Sequence, residues 1–471
     1  FMTHEYVEAH DDVYFIPHAK FTVKAVNTHT AATTPVRGPA HPQATFAIES
    51  VLDIVAAETG LSPDVVRMRN MYTAQNAIAM NGMFMRGMNV DEMVAKVKAD
   101  AGYDALVAEV EAYNAQSKWR KRGISVQGTK YGGAQMAASG ASALVNVSGT
   151  ATVTVYHAGA EIGQGINTKV AQVVAKTLGC PLAVIKVCDS STDALPNMIV
   201  TGGSVASEAC CEAARQACLD IIERTAHIKA ELWRKAEDGA EPGFADIIPV
   251  AKAQHVLLSA SANFVPRGRR DRGPRGRPWN TDGVQYFAFG AALSLVEVDI
   301  LTGEVTILRS DVAYDCGNSL NPLIDIGQAE GAFVMGLGSY FTEDRLVTPS
   351  GGNAADGTWE YKVPSVMDAP AQFNVSILKG SDFAYNDAGG VKAVGEPLAY
   401  QWLFDGKPIA GATASAIQLP VVSIANAGRY SVLVSNGFGK DISESARLDI
   451  YYKLKLALEG RGVIEVAVAA V

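Results

Sequence analysis

Gly159-Ala160-Glu161-Ile162-Gly163-Gln164-Gly165 stands between an alternating segment, Thr150 to His157, and a segment with helical spacing, Asn167 to Leu178. The change of period predicts strand, glycine-rich loop and helix in that order. Small residues let backbone N–H groups come close to a ligand at the start of a helix, a geometry suited to phosphate or the polar edge of a ring system. A second such stretch, Thr201-Gly202-Gly203-Ser204, ends the loop from Pro196 and precedes an alanine-rich helix expected over 205–230. Glycines also cap strands and helices with no ligand involved, so each loop taken alone leaves both readings open.

Outward from these loops the chain alternates helical and extended patterns. Upstream, Tyr14 to Asn27 reads as extended, and a small, polar loop from Thr28 to Pro35 delivers Arg37-Gly38-Pro39. Apolar residues from Phe46 to Val55 predict a helix over 43–59, which Gly60 ends, and Ser62-Pro63-Asp64 caps a shorter helix to about Asn70. Asn89 to about Trp119 is helical with Val90, Met93, Val94 and Val97 inward. Gly123 to Val126 and Ala143 to Val147 read as strands, the latter in a hairpin turned by Gly149, and Val184 to Cys188 is another. Downstream come a hairpin about Thr302-Gly303, a helix opened by Ile326 to Gly331, and a strand over 373–378. The absent side chains of Gly331, Gly336 and Gly338 are expected to allow close packing of that helix. Asp387 to Pro397 then puts one carboxylate, Glu396, on a glycine-framed bend that Pro397 stiffens.

The 471 residues suffice for two to four domains, and 48% hydrophobic with 19% charged is an ordinary globular balance. A net charge of −9 argues against nucleic acid or an anionic membrane as partner. Arg267 to Arg277 is locally basic, but it lacks aromatics, which favours a surface loop over an RNA-binding arm. The six cysteines contain no Cys-x-x-Cys pair, so no zinc ribbon or iron–sulfur cluster is suggested, and free thiols in a cytoplasmic, reducing compartment are expected. No apolar run of membrane-spanning length occurs. The start at Phe1 has no signal-peptide pattern and reads as cut from a longer chain.

Seven segments, in order, resemble the molybdenum-binding subunit of the xanthine dehydrogenase and aldehyde oxidase family: Thr33 to Gln43, Gly123 to Gly132, Glu161 to Gly165, Thr201 to Ser204, Ser319 to Gly338, Tyr361 to Pro364 and Lys392 to Pro397. The resemblance implies an α+β molybdopterin-binding fold and a hydroxylase that adds a water-derived oxygen to an aldehyde or N-heterocycle. It places Glu396 as the general base that takes a proton at the metal centre. It puts Arg37 and Gly38 beside the metal, Gln164 and Gln328 on the pterin, and the backbone N–H groups of Gly202, Gly203 and Ser204 at the cofactor. The metal itself is held through the pterin, with Arg37 and Gly203 nearby and no protein ligand. Iron–sulfur clusters and FAD belong to missing segments or partner subunits, and a homodimer is among the assemblies implied.

The match departs at three places. Arg37-Gly38-Pro39-Ala40 has proline where the family carries an aromatic, and Thr3 to Tyr6 holds no arginine of the kind that marks purine-specific members. The family's early segments are missing. After Pro397 the text resembles a bacterial immunoglobulin-like module with Trp402 in a strand, a turn at Asp405-Gly406 and a tyrosine corner at Asn426 to Tyr430, lacking its first two strands. The expected organisation is therefore a truncated cofactor-binding region over 1–397, an incomplete β-sandwich over 398–450 and a β-like tail over 451–471. Alternative readings are an inactive remnant or gene fusion, and an adhesion or interaction protein acting through the immunoglobulin-like part.

Overall fold

The structure is a computed structural model that describes residues 2–24, 26, 28–30, 36–73, 78–80, 85, 87–133, 140–195, 200–237, 239–265, 286–317, 319–378 and 399–409, and the strands within 428–470. In chain order the first elements are α1 (Met2–Ala9), α2 (His41–Thr59), α3 (Pro63–Asn70), α4 (Val90–Ala101), α5 (Tyr103–Gln116), β1 (Arg120–Gly133), β2 (Ala141–Val147), β3 (Val153–His157), α6 (Ile166–Leu178) and β4 (Ile185–Val187). They are followed by α7 (Ala206–Lys235), α8 (Phe244–Ala253), β5 (Ser259–Phe264), β6 (Tyr286–Asp299), β7 (Val305–Tyr314), α9 (Pro322–Phe341) and β8 (Gln372–Ile377).

Two mixed sheets carry the helices. The first has the order β1-β6-β7-β8, with β7 and β8 parallel across the α9 connection. Its core joins Phe287, Phe289 and Leu293 of β6 to Val90, Met93, Val94 and Val97 of α4, the face that the periodicity predicted. A Cβ at Gly128 of β1 would lie 2.5 Å from Val90 Cγ2, so only glycine lets α4 sit this close. The second sheet has the order β4-β3-β2-β5, and α6 joins β3 to the parallel β4. Residues alternate along β2, and Ala143, Val145 and Val147 face the small residues Ala209, Ala213 and Ala217 of α7 within one core.

The differences from the sequence reading have local causes. The expected helical region from Asn89 breaks at Gly102, whose φ of +68° ends α4 and starts α5. Of the extended segment from Tyr14, only the Tyr14 bridge to Met71 pairs among the described residues, because no neighbouring strand offers further hydrogen bonds. Pro181 opens a short 3-10 turn, Leu182–Val184, so β4 begins at Ile185. α9 starts at Pro322, earlier than expected, because the Asn321 side chain accepts from Ile324 N. Close packing in α9 holds at Gly338, where a Cβ would lie 2.6 Å from Pro364 Cδ, but Gly336 faces open space among the described residues. The described cysteines are free, and all but Cys188 are buried.

Beyond residue 398, β9 (Ala399–Phe404), β10 (Lys407–Pro408), β11 (Gly428–Asn436), β12 (Gly439–Ile442) and β13 (Ala446–Leu448) make one antiparallel sheet. Asp405 and Gly406 turn the β9–β10 hairpin with φ of 47° and 77°, and Trp402 pairs with Val432. β14 (Tyr452–Glu459) and β15 (Val463–Ala470) pair with each other. Arg267 to Arg277, Ala416 to Leu419 and Glu396 lie outside the described residues.

A buried polar network ties the turn after α1 to α2 and β1. Lys130 Nζ donates to Asp11 Oδ1 and to the carbonyl of Asp12, Lys130 N donates to Asp12 Oδ1 at 3.0 Å, and Thr45 Oγ1 donates to Asp12 Oδ2 at 2.8 Å. Burial pushes the Asp12 carboxyl up to about 7, against the pull of Lys130. A carboxyl whose folded value lies above its unfolded value of about 3.9 stabilises the fold in its protonated form. That contribution is complete below about pH 4 and is lost as pH rises through about 7. Urea midpoints of the parent should therefore decline across this window by more than those of Asp12→Asn. Equal slopes in the two proteins would contradict the assignment.

Candidate cofactor site

The site begins where β3 ends. His157, the last residue of β3, is fully buried; its Nε2 donates to Asn167 Oδ1 at 2.8 Å, and its Nδ1 accepts from Gly159 N at 3.3 Å. Burial holds this imidazole below its ordinary pKa, so the neutral ring serves as a hinge between strand and loop. Gly163 and Gly165 then take φ of +95° and +72°. A Cβ at Gly165 would lie 2.3 Å from Ile324 Cδ1, so the loop rests directly on the first turn of α9.

Most N–H groups of this loop are taken up within the protein. Glu161 Oε1 accepts from Gly163 N and Gly165 N, each at 3.0 Å, and Oε2 accepts from Asn167 N at 3.3 Å. The positive end of α6 is thus met by a carboxylate from its own loop. Gln164 also turns inward: its Oε1 accepts from Ile162 N at 2.7 Å and its Nε2 donates to Ala160 O at 2.8 Å, which leaves one N–H of the amide. Glu161 is not among the expected site residues, although an acidic side chain just ahead of a helix is a recognisable sequence signal for this capping role.

The second loop has the opposite character. Thr201 Oγ1 accepts from Ala160 N at 2.8 Å, which ties the two loops together. Gly203 and Ser204 have φ of 65° and 56°, and no side chain caps the 30-residue α7 at Val205. Gly202 N donates to Val200 O at 3.0 Å, so its N–H is taken up within the loop, contrary to the expectation for it, but among the described residues nothing accepts from the N–H groups of Gly203 and Ser204. Open donors therefore stand at the positive end of a long helix.

Arg37 closes the site from the far side. Its Nη2 donates to the carbonyl of Gln328 at 2.7 Å and lies 3.3 Å from Gln328 Oε1, while Gln328 Nε2 donates to Gly163 O at 2.9 Å. Gly331, one turn further along α9, lies beside the guanidinium, with Nη1 at 3.6 Å, an ordinary contact distance, from where a Cβ would stand. Burial lowers the Arg37 pKa, and the charge on the half-buried Tyr314 hydroxyl opposes that shift. Gly38 at φ +71° makes the turn into α2, and Tyr340 OH of α9 donates to Pro42 O at 2.8 Å. Next to that turn His41 Nδ1 donates to Pro39 O at 3.0 Å, and burial lowers its pKa to about 4.

Arg37, Gln328, the loop of Gln164 and the loop of Gly202, Gly203 and Ser204 are therefore linked by successive hydrogen bonds. The guanidinium N–H groups that have no acceptor among the described residues and the open backbone N–H groups offer donors, and Gln328 offers a fixed amide. This donor set suits an acceptor-rich, anionic group such as a phosphorylated pterin, so the residues present fit the cofactor that the motifs imply. Among the described residues, no three His, Cys, Asp or Glu side chains converge as a metal shell. No helix among them is long and apolar enough to cross a membrane.

An α+β scaffold whose glycine loops, helix end and arginine surround a donor-lined site is the architecture of a domain that binds a large cofactor. Two descriptions of a molybdopterin cofactor-binding domain match the chain, over residues 96–370 and 1–71, and the first covers more than half of it. The chain belongs to the molybdopterin cofactor-binding domain family. Among curated proteins it is 34% identical over 392 residues to aldehyde oxidase 1 of Macaca fascicularis, covering 82% of this chain and 28% of that protein. It is also 34% identical over 396 residues to xanthine dehydrogenase of Drosophila subobscura, again covering 82% of this chain and 28% of the relative. The chain thus spans little more than a quarter of the length of these relatives.

Solved structures share the fold. The aldehyde oxidoreductase from Desulfovibrio desulfuricans superposes with a TM-score of 0.66 at 22% identity, over 83% of this chain and 41% of that one. Quinoline 2-oxidoreductase from Pseudomonas putida 86 gives 0.64 at 21% identity, over 76% and 47%.

Proposed function

We propose that this chain forms the cofactor-binding part of a molybdenum hydroxylase that adds a water-derived oxygen to an aldehyde or an electron-poor N-heterocycle. The observation that carries the reading is the relay Arg37–Gln328–Gly163, which joins three separate motifs into one donor-lined site. The molybdenum cofactor supplies, when bound, the two-electron oxidation and the oxygen transfer.

The chain's own residues bind, orient and move a proton. Arg37, on the turn made by Gly38, directs the unpaired half of its fork towards ligand oxygens. Gln328 and the remaining N–H of Gln164 orient the pterin edge, and the open N–H groups of Gly203 and Ser204, next to Gly202, meet its anionic portion. Glu396, which directly precedes Pro397 in the sequence, takes the proton as general base. With proline at 39 and no arginine in residues 3–6, the reading favours aldehydes over purines. Iron–sulfur and flavin domains or subunits carry the electrons away, in a cytoplasmic, homodimeric assembly. Residues 1–397 are assigned to the cofactor region, 398–450 to the immunoglobulin-like sheet and 451–471 to the terminal hairpin.

Metal and pterin analysis tests the reading. The chain purified from a molybdenum-replete host with full cofactor synthesis should carry both in near-equal amounts per polypeptide. A chain that holds neither refutes it.

A further inference from the structure

Beneath the site, α6 and the start of α9 meet along two short stripes. Gly165, Lys169 and Gln172 lie on one face of α6, and Leu320, Ile324, Asp325 and Gln328 face them from the α9 side. Lys169 Nζ donates to Asp325 Oδ1 at 2.9 Å, Ser319 Oγ donates to Asp325 Oδ2 at 2.6 Å, and Gln172 Nε2 donates to Leu320 O at 3.0 Å. Both ends of the ion pair are nearly sealed from water, with side-chain exposures of 10% and 7%.

A buried ion pair is a poor source of stability. Desolvating two charges offsets most of their attraction, and a well-packed apolar pair of similar volume is often as stable or better. What the pair adds is register, because its hydrogen bonds are satisfied in one geometry only. Asp325 is three residues before Gln328, on the same face of α9, and Lys169 is four residues after Gly165 on α6. Fixing Lys169 against Asp325 therefore fixes where the Gln328 amide meets Gly163 O, and through Gln328 where Arg37 is held.

Resting on the proposed cofactor site, we infer that Lys169 and Asp325 are positioning residues, a buried couple that sets the glycine loop of α6 against the Arg37–Gln328 pair and so holds the site in its cofactor-accepting form. Neither side chain is assigned contact with the cofactor. Their action runs through Gln328 and Gly163.

The test uses the full chain and four variants: Lys169→Met, Asp325→Asn, the double variant Lys169→Met/Asp325→Leu, and the conservative Lys169→Arg. Single variants leave a buried charge unpaired and lose stability, so they alone would not separate positioning from folding. The double variant is the discriminating one. Its cofactor-free thermal midpoint should return to within a few degrees of the parent, yet its molybdenum content after purification should stay at least about tenfold lower and the amides of residues 159–167 should exchange about tenfold faster. Lys169→Arg should keep molybdenum within about twofold of the parent. A double variant that regains stability together with parental molybdenum content and parental exchange in the loop overturns the inference, since the pair then only fills the core. Exchange in the cofactor-free chain reads the coupling whether or not molybdenum is held. A parent without molybdenum whose loop still loosens in the double variant would refute the cofactor reading and uphold the coupling.

Discussion

Glu396→Gln is expected to lower turnover by about 10²- to 10⁴-fold while molybdenum content stays at the parental level, the range spanned by removal of a positioned general base. The amide has the shape of the carboxylate and can accept a hydrogen bond, but it cannot take a proton at neutral pH. Glu396 stands in Lys392-Ala393-Val394-Gly395-Glu396-Pro397, outside the described residues, so its assignment rests on that stretch and its order after the other motifs. Assay with an aromatic aldehyde and an artificial electron acceptor, beside metal analysis of the same preparation, gives the answer. Turnover within about threefold of the parent, with molybdenum bound, would remove the proton-transfer role from this residue.

Lys130→Met should be the most damaging single change to the fold. The ammonium is the cation that faces Asp11, in a site where the two side chains are 3% and 0% exposed. Tyr72 OH and Met80 N also donate to Asp11 Oδ2, each at 2.8 Å, and those bonds would remain. The carboxylate would nevertheless lose its opposite charge in a dry interior, which costs about 3–5 kcal/mol when one partner of a buried pair is deleted. Because Lys130 Nζ also holds the Asp12 carbonyl, the turn after α1 would loosen from β1. Denaturant unfolding should show the loss directly, and a change below about 1 kcal/mol would mean that the network is solvated in solution. Arg67 with Glu49 at 2.6 Å is a neighbouring pair that the change leaves intact.

The helices were legible because their signals are local. Ser62 and Pro63 mark the start of α3, apolar spacing marks the inner face of α4, and Gly60 marks the end of α2, whereas the break at Gly102 is hidden in a helical pattern that runs on from Asn89 to about Trp119. The β2–β3 and β6–β7 hairpins followed from alternation and turn residues in the same way. The partner strands did not: β1 pairs over fourteen residues with β6, more than 150 positions away, and nothing within Arg120 to Gly133 names that partner. Its length was therefore underestimated from the four residues Gly123 to Val126.

The same division runs through the site. The residue types and their order, Arg37-Gly38, Glu161 to Gly165, Thr201 to Ser204 and the run around Gln328, were readable from the sequence and sufficed to place the chain among cofactor-binding domains. Which donors remain open was decided only in three dimensions. Glu161 caps α6 and Gln164 folds back onto its own loop, so one glycine loop closes on itself, while the other leaves the end of α7 bare. Hydrogen-bond partners 41 to 291 residues apart, such as Thr201 with Ala160 and Arg37 with Gln328, are chosen by where packed helices and sheets bring backbone atoms together. A linear pattern records which side chains can bond; the packing of α6, α7 and α9 selects the bonds that form.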